Sequence, residues 1–216
     1  MDRPRGVSDA DQCRAIVTTV VDPPVNHQWW AWDAAIDTDT CNKIVALGAD
    51  QNWSAATIID DEHGGVERAH DYRSTEVVWV REQWLYSLIW PYMEHANQRG
   101  GWRYDLRGCE PLQLAQYLPG GHYDIHADGN GSHYSVHNMP DDPILHGHTR
   151  KMTMTILLND DFEGGEMEFV EYPNRAMPAT VGSITMFPSF MPHQVKPVRA
   201  GTRYSLTAWF VGPPFK

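Results

Sequence analysis

The sequence predicts an α+β protein: a double-stranded β-helix (jelly roll) core with supporting N-terminal helices. Three observations lead there. From residue 112 onward the chain breaks into short alternating segments separated by Gly and Pro, the pattern of antiparallel strands arranged as a double sheet. Ahead of that point, two stretches carry apolar residues at helical spacing. The final segment, Arg203 to Phe210, alternates so regularly that Arg203, Ser205, Thr207 and Trp209 share one face of a strand.

The elements follow in order. Residues 1–28 read as an N-terminal arm, where charge is mixed with a short apolar run (Ile16 to Val21) and Pro23-Pro24 stops regular structure. Residues 29–216 read as one domain, with helical support over about 29–110 and the jelly-roll core over about 111–211. Trp29, Trp30 and Trp32 read as a core or arm-docking cluster, with a substrate-facing aromatic wall as the alternative. Asp37-Thr38-Asp39-Thr40 offers helix caps, and Cys41, Ile44, Val45 and Gly48 continue at helical spacing. A second helix is expected from about Glu82 to Gln98, with Leu85, Leu88, Ile89 and Tyr92 on one face. Pro91 is expected to kink it or to begin a second short helix, and Gly100-Gly101 to end it. Strands are expected at 112–117, 152–156, 166–170 and 183–187, and from 203 onward. Between the first two lies a long polar stretch, 129–150, expected to be a mobile lid over the site. Its His133, His137, His146 and His148 read as solvated or substrate-facing, with a second metal site as the lesser reading.

Composition narrows the function. A formal charge of −11 and a pI of about 5.3 disfavour nucleic acid, whose binding needs a basic face. No run is long enough to span a membrane, and the N-terminus has no apolar signal core. The three cysteines, Cys13, Cys41 and Cys109, are odd in number and widely spaced, which suits a reducing compartment without a disulfide framework. A cytoplasmic location is expected; the oligomeric state is not legible.

The chemistry is carried by His126-Ala127-Asp128, then His193, then Arg203. Residues two apart on a strand point the same way. His126 and Asp128 can therefore share one metal ion, with His193 arriving from elsewhere in the fold. Two imidazoles and one carboxylate hold one face of a metal and leave the other open, the ligand set of non-haem Fe(II) oxygen chemistry. Arg203 supplies a fixed cationic fork for the remote carboxylate of an acidic cosubstrate.

These residues sit within an ordered run of motifs: Gln113 to Tyr117, Gly120-Gly121-His122-Tyr123, His126-Ala127-Asp128, Leu157 to Asp160, Glu163-Gly164-Gly165-Glu166, Phe187-Pro188-Ser189, His193 to Val198, Gly201-Thr202-Arg203 and Trp209. Over about 110–211 the chain resembles the 2-oxoglutarate- and Fe(II)-dependent dioxygenases, and within them the prolyl 4-hydroxylase catalytic domains. The resemblance implies that His126, Asp128 and His193 are the iron ligands and that Arg203 binds the C5 carboxylate of 2-oxoglutarate. It implies that Tyr117 donates a hydrogen bond to the cosubstrate. Ser205 and Thr207, on the face of Arg203, are candidates for further bonds. No catalytic residue beyond the metal site is assigned. Where some relatives carry a hydroxyl residue, this chain has Met167 and Leu157; Thr155 is the candidate to compensate.

The cofactors expected are Fe(II), 2-oxoglutarate and O2, with ascorbate as a candidate accessory reductant. The leading function is a prolyl 4-hydroxylase acting on proline in a peptide or protein, with succinate and CO2 as co-products. The alternative is a hydroxylase of a free amino acid or other small molecule on the same fold. A metal-binding jelly roll without oxygenase activity, an isomerase or binding module, stands third.

Overall fold

The structure, a computed structural model, describes residues 27–56, 58–60, 65–67, 72–129, 136–171 and 177–215. The expected N-terminal arm therefore lies, apart from residues 27 and 28, outside the described residues. In chain order the elements are β1 (Trp30–Trp32), α1 (Thr38–Ala46), β2 (Ser54–Ala55), β3 (Ile58–Asp60), β4 (Gly65–Glu67), β5 (Arg73–Ser74), β6 (Glu76–Val80), α2 (Gln83–Arg99), β7 (Gly108–Cys109) and β8 (Leu112–Tyr117). There follow β9 (His122–His126), β10 (Thr149–Leu157), β11 (Phe162–Gly164), β12 (Met167–Phe169), β13 (Ile184–Pro188), β14 (His193–Val195), β15 (Val198–Gly201) and β16 (Arg203–Gly212).

Every described strand pair is antiparallel. The large sheet runs β1-β13-β10-β16-β8-β6-β2, with β7 also paired to β16. A smaller sheet runs β12-β14-β9-β5, and β11-β15 and β3-β4 form separate pairs. Helices support one side and the two main sheets bound a cavity, the arrangement expected of an α+β jelly roll.

The large sheet has two chemically distinct faces because its strands alternate. Leu112 and Leu114 of β8, Met152, Met154 and Ile156 of β10, Ile184 and Met186 of β13, and Leu206, Ala208 and Phe210 of β16 pack in the main core. Ile44 of α1 and Leu85, Ile89, Met93 and Ala96 of α2 cover them. The in-between residues, among them Gln113, Thr153, Thr155, Phe187, Arg203, Ser205, Thr207 and Trp209, line the cavity on the other side. Helix packing and a functional wall are thus built from one sheet by a period of two.

Local signals explain the helices. The Asp37 side chain caps α1 by accepting from the Thr40 backbone N–H at 2.8 Å. That bond is the first cause of a carboxyl pKa below the usual value. The second short helix considered at Pro91 does not form: α2 runs unbroken from Gln83 to Arg99 through it. Pro91 and Ser87, the residue whose carbonyl loses its helical donor, are both exposed, so water can satisfy that carbonyl. The N-terminal tryptophans extend structure rather than form a substrate wall. β1 joins the edge of β13, and Trp32 meets Tyr92 of α2 edge-on at 5.2 Å. Gly182, at φ +77°, lies against Ile36, where a Cβ would collide with the Ile36 backbone. Among the described residues no helix is long and apolar enough to cross a membrane.

Two adjacent substitutions should separate the two faces. Leu206→Ala, on the helix side and 1% exposed, is expected to lower stability by about 2–5 kcal/mol. Thr207→Ala, on the cavity side, should cost less than about 1 kcal/mol. Denaturant midpoints measure both, and equal losses would refute the assignment of faces.

Candidate metal centre

The small sheet brings the three expected ligands together. His126 of β9 and His193 of β14 are cross-strand partners, so a single register sets the two imidazoles side by side. Asp128 lies just past the end of β9, where its backbone N–H donates to Ser189 at 2.8 Å. Its Oδ1 is 3.8 Å from His126 Nε2 and its Oδ2 3.7 Å from His193 Nε2. All three ligand atoms fall within 4.8 Å of one another, and no other such group occurs among the described residues.

Backbone carbonyls select the tautomer. His126 Nδ1 is 2.8 Å from the Asp124 carbonyl, and His193 Nδ1 is 2.9 Å from the Met191 carbonyl. A carbonyl only accepts, so each Nδ1 carries the proton and each neutral ring presents the Nε2 lone pair to the centre. Burial, reinforced by His193, pushes the His126 imidazole down to about 3; it is neutral at ordinary pH. Burial alone would raise the Asp128 carboxyl. The facing imidazoles, the Arg150 guanidinium and the Thr153 hydroxyl outweigh it and hold the group below the usual carboxylate range. Two neutral imidazole nitrogens and one carboxylate oxygen suit a ferrous ion with open coordination positions.

Arg203 occupies the same cavity. It is buried, its register partner is Tyr117, and its guanidinium lies 5.1 Å from the Tyr117 ring centroid. Its Nη1 donates to Ser205 Oγ at 3.2 Å, while its Nε has no partner. Burial lowers its pKa, only partly offset by Tyr117, yet a guanidinium stays charged. Among the described residues it forms no ion pair. A desolvated cation without a counter-ion fits a ligand that brings its own carboxylate. Ser205 and Thr207 line the cavity beside it, as do Tyr117 and Thr155, while Met167 puts a thioether in the wall in place of a hydroxyl. Gly165 makes room for the guanidinium stem: at φ +66°, a Cβ there would come within 2.8 Å of Arg203 Cδ.

Several lining residues have no role that the sequence alone assigns. Tyr123 stacks on the His126 ring with centroids 3.4 Å apart at 13°. Arg73 covers the Tyr123 ring at 4.3 Å and donates to Gln113 Oε1 at 2.8 Å, which ties β5 to β8 across the mouth. Trp209 lies under Arg150 at 4.0 Å. Thr153 and Thr155 carry a signal, polar residues in the cavity phase of an otherwise apolar strand. Arg73 carries none.

The long stretch after Asp128 is only partly described, and His133 lies outside the described residues. From residue 136 onward it folds into turns fastened to the core. His137 Nε2 is 3.0 Å from Glu110 Oε1, which also accepts from Arg150 at 2.6 Å. His137 and His148 are further joined by a backbone bond of 2.8 Å. The described histidines of this stretch form no second metal cluster.

Comparison with known proteins agrees with this geometry. The profile of the 2OG-Fe(II) oxygenase superfamily matches residues 112–211. A PKHD-type hydroxylase of Idiomarina loihiensis is 33% identical over 187 residues, covering 81% of this chain and 73% of that protein. A prolyl-4-hydroxylase structure from Pseudomonas putida superposes with a TM-score of 0.62 at 20% identity, covering 88% of this chain and 96% of the other. A Trichoplax adhaerens prolyl hydroxylase, solved with a peptide fragment of the hypoxia inducible factor oxygen degradation domain, gives 0.61 at 21% identity, covering 85% and 83%.

Two outcomes are expected. Without metal, stability should decline as pH falls from about 6.5 towards 3, because the unfolded chain can protonate an imidazole that the fold keeps neutral. His126→Asn should flatten that part of a thermal-melt profile; superimposable pH profiles would remove the explanation. Gly165→Ala should displace Arg203 and raise half-saturating 2-oxoglutarate about tenfold, equivalent to ~1.4 kcal/mol. Unchanged titration curves would show that the glycine does not seat the guanidinium.

Proposed function

The chain belongs to the 2OG-Fe(II) oxygenase superfamily, and from that premise we propose that it hydroxylates proline within a peptide or protein. It is a dioxygenase that uses Fe(II), 2-oxoglutarate and O2, so a non-oxygenase jelly roll no longer competes. Bound Fe(II) supplies the redox chemistry that couples conversion of 2-oxoglutarate to succinate and CO2 with hydroxylation of a substrate C–H bond.

In this reading His126, Asp128 and His193 would hold the iron, and Arg203 would bind the C5 carboxylate of 2-oxoglutarate. Ser205 steadies Arg203 at 3.2 Å, and Tyr117 and Thr207 complete the wall around the cosubstrate. The sheets keep water from the reacting atoms.

One observation supports the cosubstrate assignment above all: a buried, unpaired Arg203 lines the same cavity as the His-Asp-His cluster. The peptide reading draws support from the rim. Trp79 is 50% exposed and lies 6.0 Å from Trp209. Trp53, Val77, Trp79 and Arg73 line an adjoining cleft, a surface on which an extended proline-containing segment can lie. The Trichoplax adhaerens neighbour holds a peptide on a similar fold. A second reading, hydroxylation of a free amino acid, is favoured by one feature: Arg73 at the mouth leaves its buried Nε without a partner, which suits a substrate carboxylate.

Incubation with Fe(II), 2-oxoglutarate and O2, with proline-containing peptides in parallel with free amino acids, tests both readings. Substrate-stimulated succinate and a gain of one oxygen on a peptidyl proline are expected. Turnover of free amino acids alone would transfer the assignment to the second reading. Arg203→Ala should raise the 2-oxoglutarate requirement by two orders of magnitude or more, since losing one partner of a buried ion pair costs about 3–5 kcal/mol.

A further inference from the structure

Behind Asp128 lie two buried hydroxyls that the proposed reaction does not use. Thr153 and Ser189 are each 1% exposed. Thr153 Oγ1 is 2.7 Å from Asp128 Oδ2 and 3.0 Å from Ser189 Oγ. The direction of this chain is fixed by chemistry. An ionised carboxylate only accepts, so Thr153 donates to Asp128. Thr153 has then spent its single proton, so Ser189 donates to Thr153.

The same serine grips the backbone on both sides. Its carbonyl accepts from the Asp128 N–H at 2.8 Å, and its N–H donates to the Lys151 carbonyl at 3.1 Å. Lys151 and Thr153 belong to β10, in the large sheet, whereas the ligand histidines belong to the small sheet. The only ligand outside a strand is thereby fastened, by backbone and side chain together, to the wall that faces it.

We propose that Thr153, backed by Ser189, is a positioning residue that commits one carboxylate oxygen of Asp128 to the protein and leaves the other, Oδ1, to bind the metal. The consequence is a single, preset oxygen ligand. Turning the carboxylate to take the ion through both oxygens would disturb that buried hydrogen bond, and it would use a coordination position the cosubstrates need. The inference rests on the metal reading above.

The test is Fe(II) affinity, titrated without oxygen against a competing chelator in the presence of 2-oxoglutarate, beside the melting temperature of the metal-free proteins. Thr153→Val keeps the shape and removes the donor. It should weaken Fe(II) binding at least tenfold, as loss of a group that orients a metal ligand commonly does. Thr153→Ser restores the donor and should bind within about threefold of wild type; Ser189→Ala should fall between the two. A role in packing alone would lower the metal-free melting temperature and spare the affinity. Wild-type affinity in Thr153→Val, or a Thr153→Ser as weak as it, overturns the proposal. Should Thr153→Val fail to fold, Ser189→Ala decides: unchanged affinity overturns it there too. Failure of the wild type itself to bind Fe(II) would instead defeat the metal reading, which separates the two.

Discussion

Two buried charges that are not paired with each other, Asp128 and Arg203, set the conditions for the rest of this structure. Removing an ion from water costs several kcal/mol unless the protein replaces the lost solvation. Asp128 is compensated by the Thr153 hydroxyl and by the positive field of Arg150. Arg203 receives much less: one serine oxygen and the face of a tyrosine. A fold aimed only at stability would join the two or replace them with apolar residues. Keeping them apart leaves one cavity with a metal-binding carboxylate in its lining and an unsatisfied cation elsewhere in it. Under the proposed reading, Fe(II) would answer Asp128 and the far carboxylate of 2-oxoglutarate would answer Arg203.

The scaffold keeps this costly arrangement in place by dividing labour between layers. The helices and the large sheet meet through Leu85, Ile89, Leu114, Met154, Ile156, Leu206 and Phe210, all fully or almost fully buried. Their packing fixes the strand registers, and the registers then fix which side chains enter the cavity. Arg203 lies opposite Tyr117, Thr207 opposite Thr155, and Thr153 opposite both Phe187 and Trp209. The small sheet is shorter and contributes fewer but more specific groups, the two imidazoles that face each other across β9 and β14. A slip of one residue in any of these ladders would send every functional side chain to the other face. Precision at the metal is therefore inherited from apolar packing on the far side of the sheet.

Much of this is legible in the sequence, for a reason that also sets the limit. Periodicity reports which side a residue takes, and so alternation alone places Arg203, Ser205, Thr207 and Trp209 on one wall. Spacing of two pairs His126 with Asp128, although Asp128 lies past the end of β9 and is held there by its bond to Ser189 rather than by strand alternation, and motif order brings in His193. What periodicity does not report is which strand lies opposite which. Arg73 is reached only through the pairing of β5 with β9, and Ser189 matters only because the turn after β13 passes behind Asp128. Pro91 leaves two outcomes open for a related reason: its cost depends on whether the carbonyl it leaves behind is solvated, which follows from burial and not from the local sequence. The contact of His137 with Glu110 joins residues 27 apart in the chain, so periodicity gives no sign of it.

The mouth of the cavity extends the same logic outward. Arg73 bridges the two sheets through Gln113 and presses Tyr123 onto His126, with Tyr72 meeting Tyr123 edge-on at 5.9 Å. The imidazole is thus held between its backbone carbonyl at Nδ1 and a stacked ring whose far face carries a cation. A group that draws Arg73 away from Gln113 must also change the load on that stack. Rim and metal ligand are therefore joined by one continuous chain of contacts, from Gln113 through Arg73 and Tyr123 to His126. Under the proposed reading, the rim side chains Arg73, Gln113, Trp79 and Trp209 are those a substrate would meet, while the cavity wall and the layers behind it would serve the chemistry common to the superfamily.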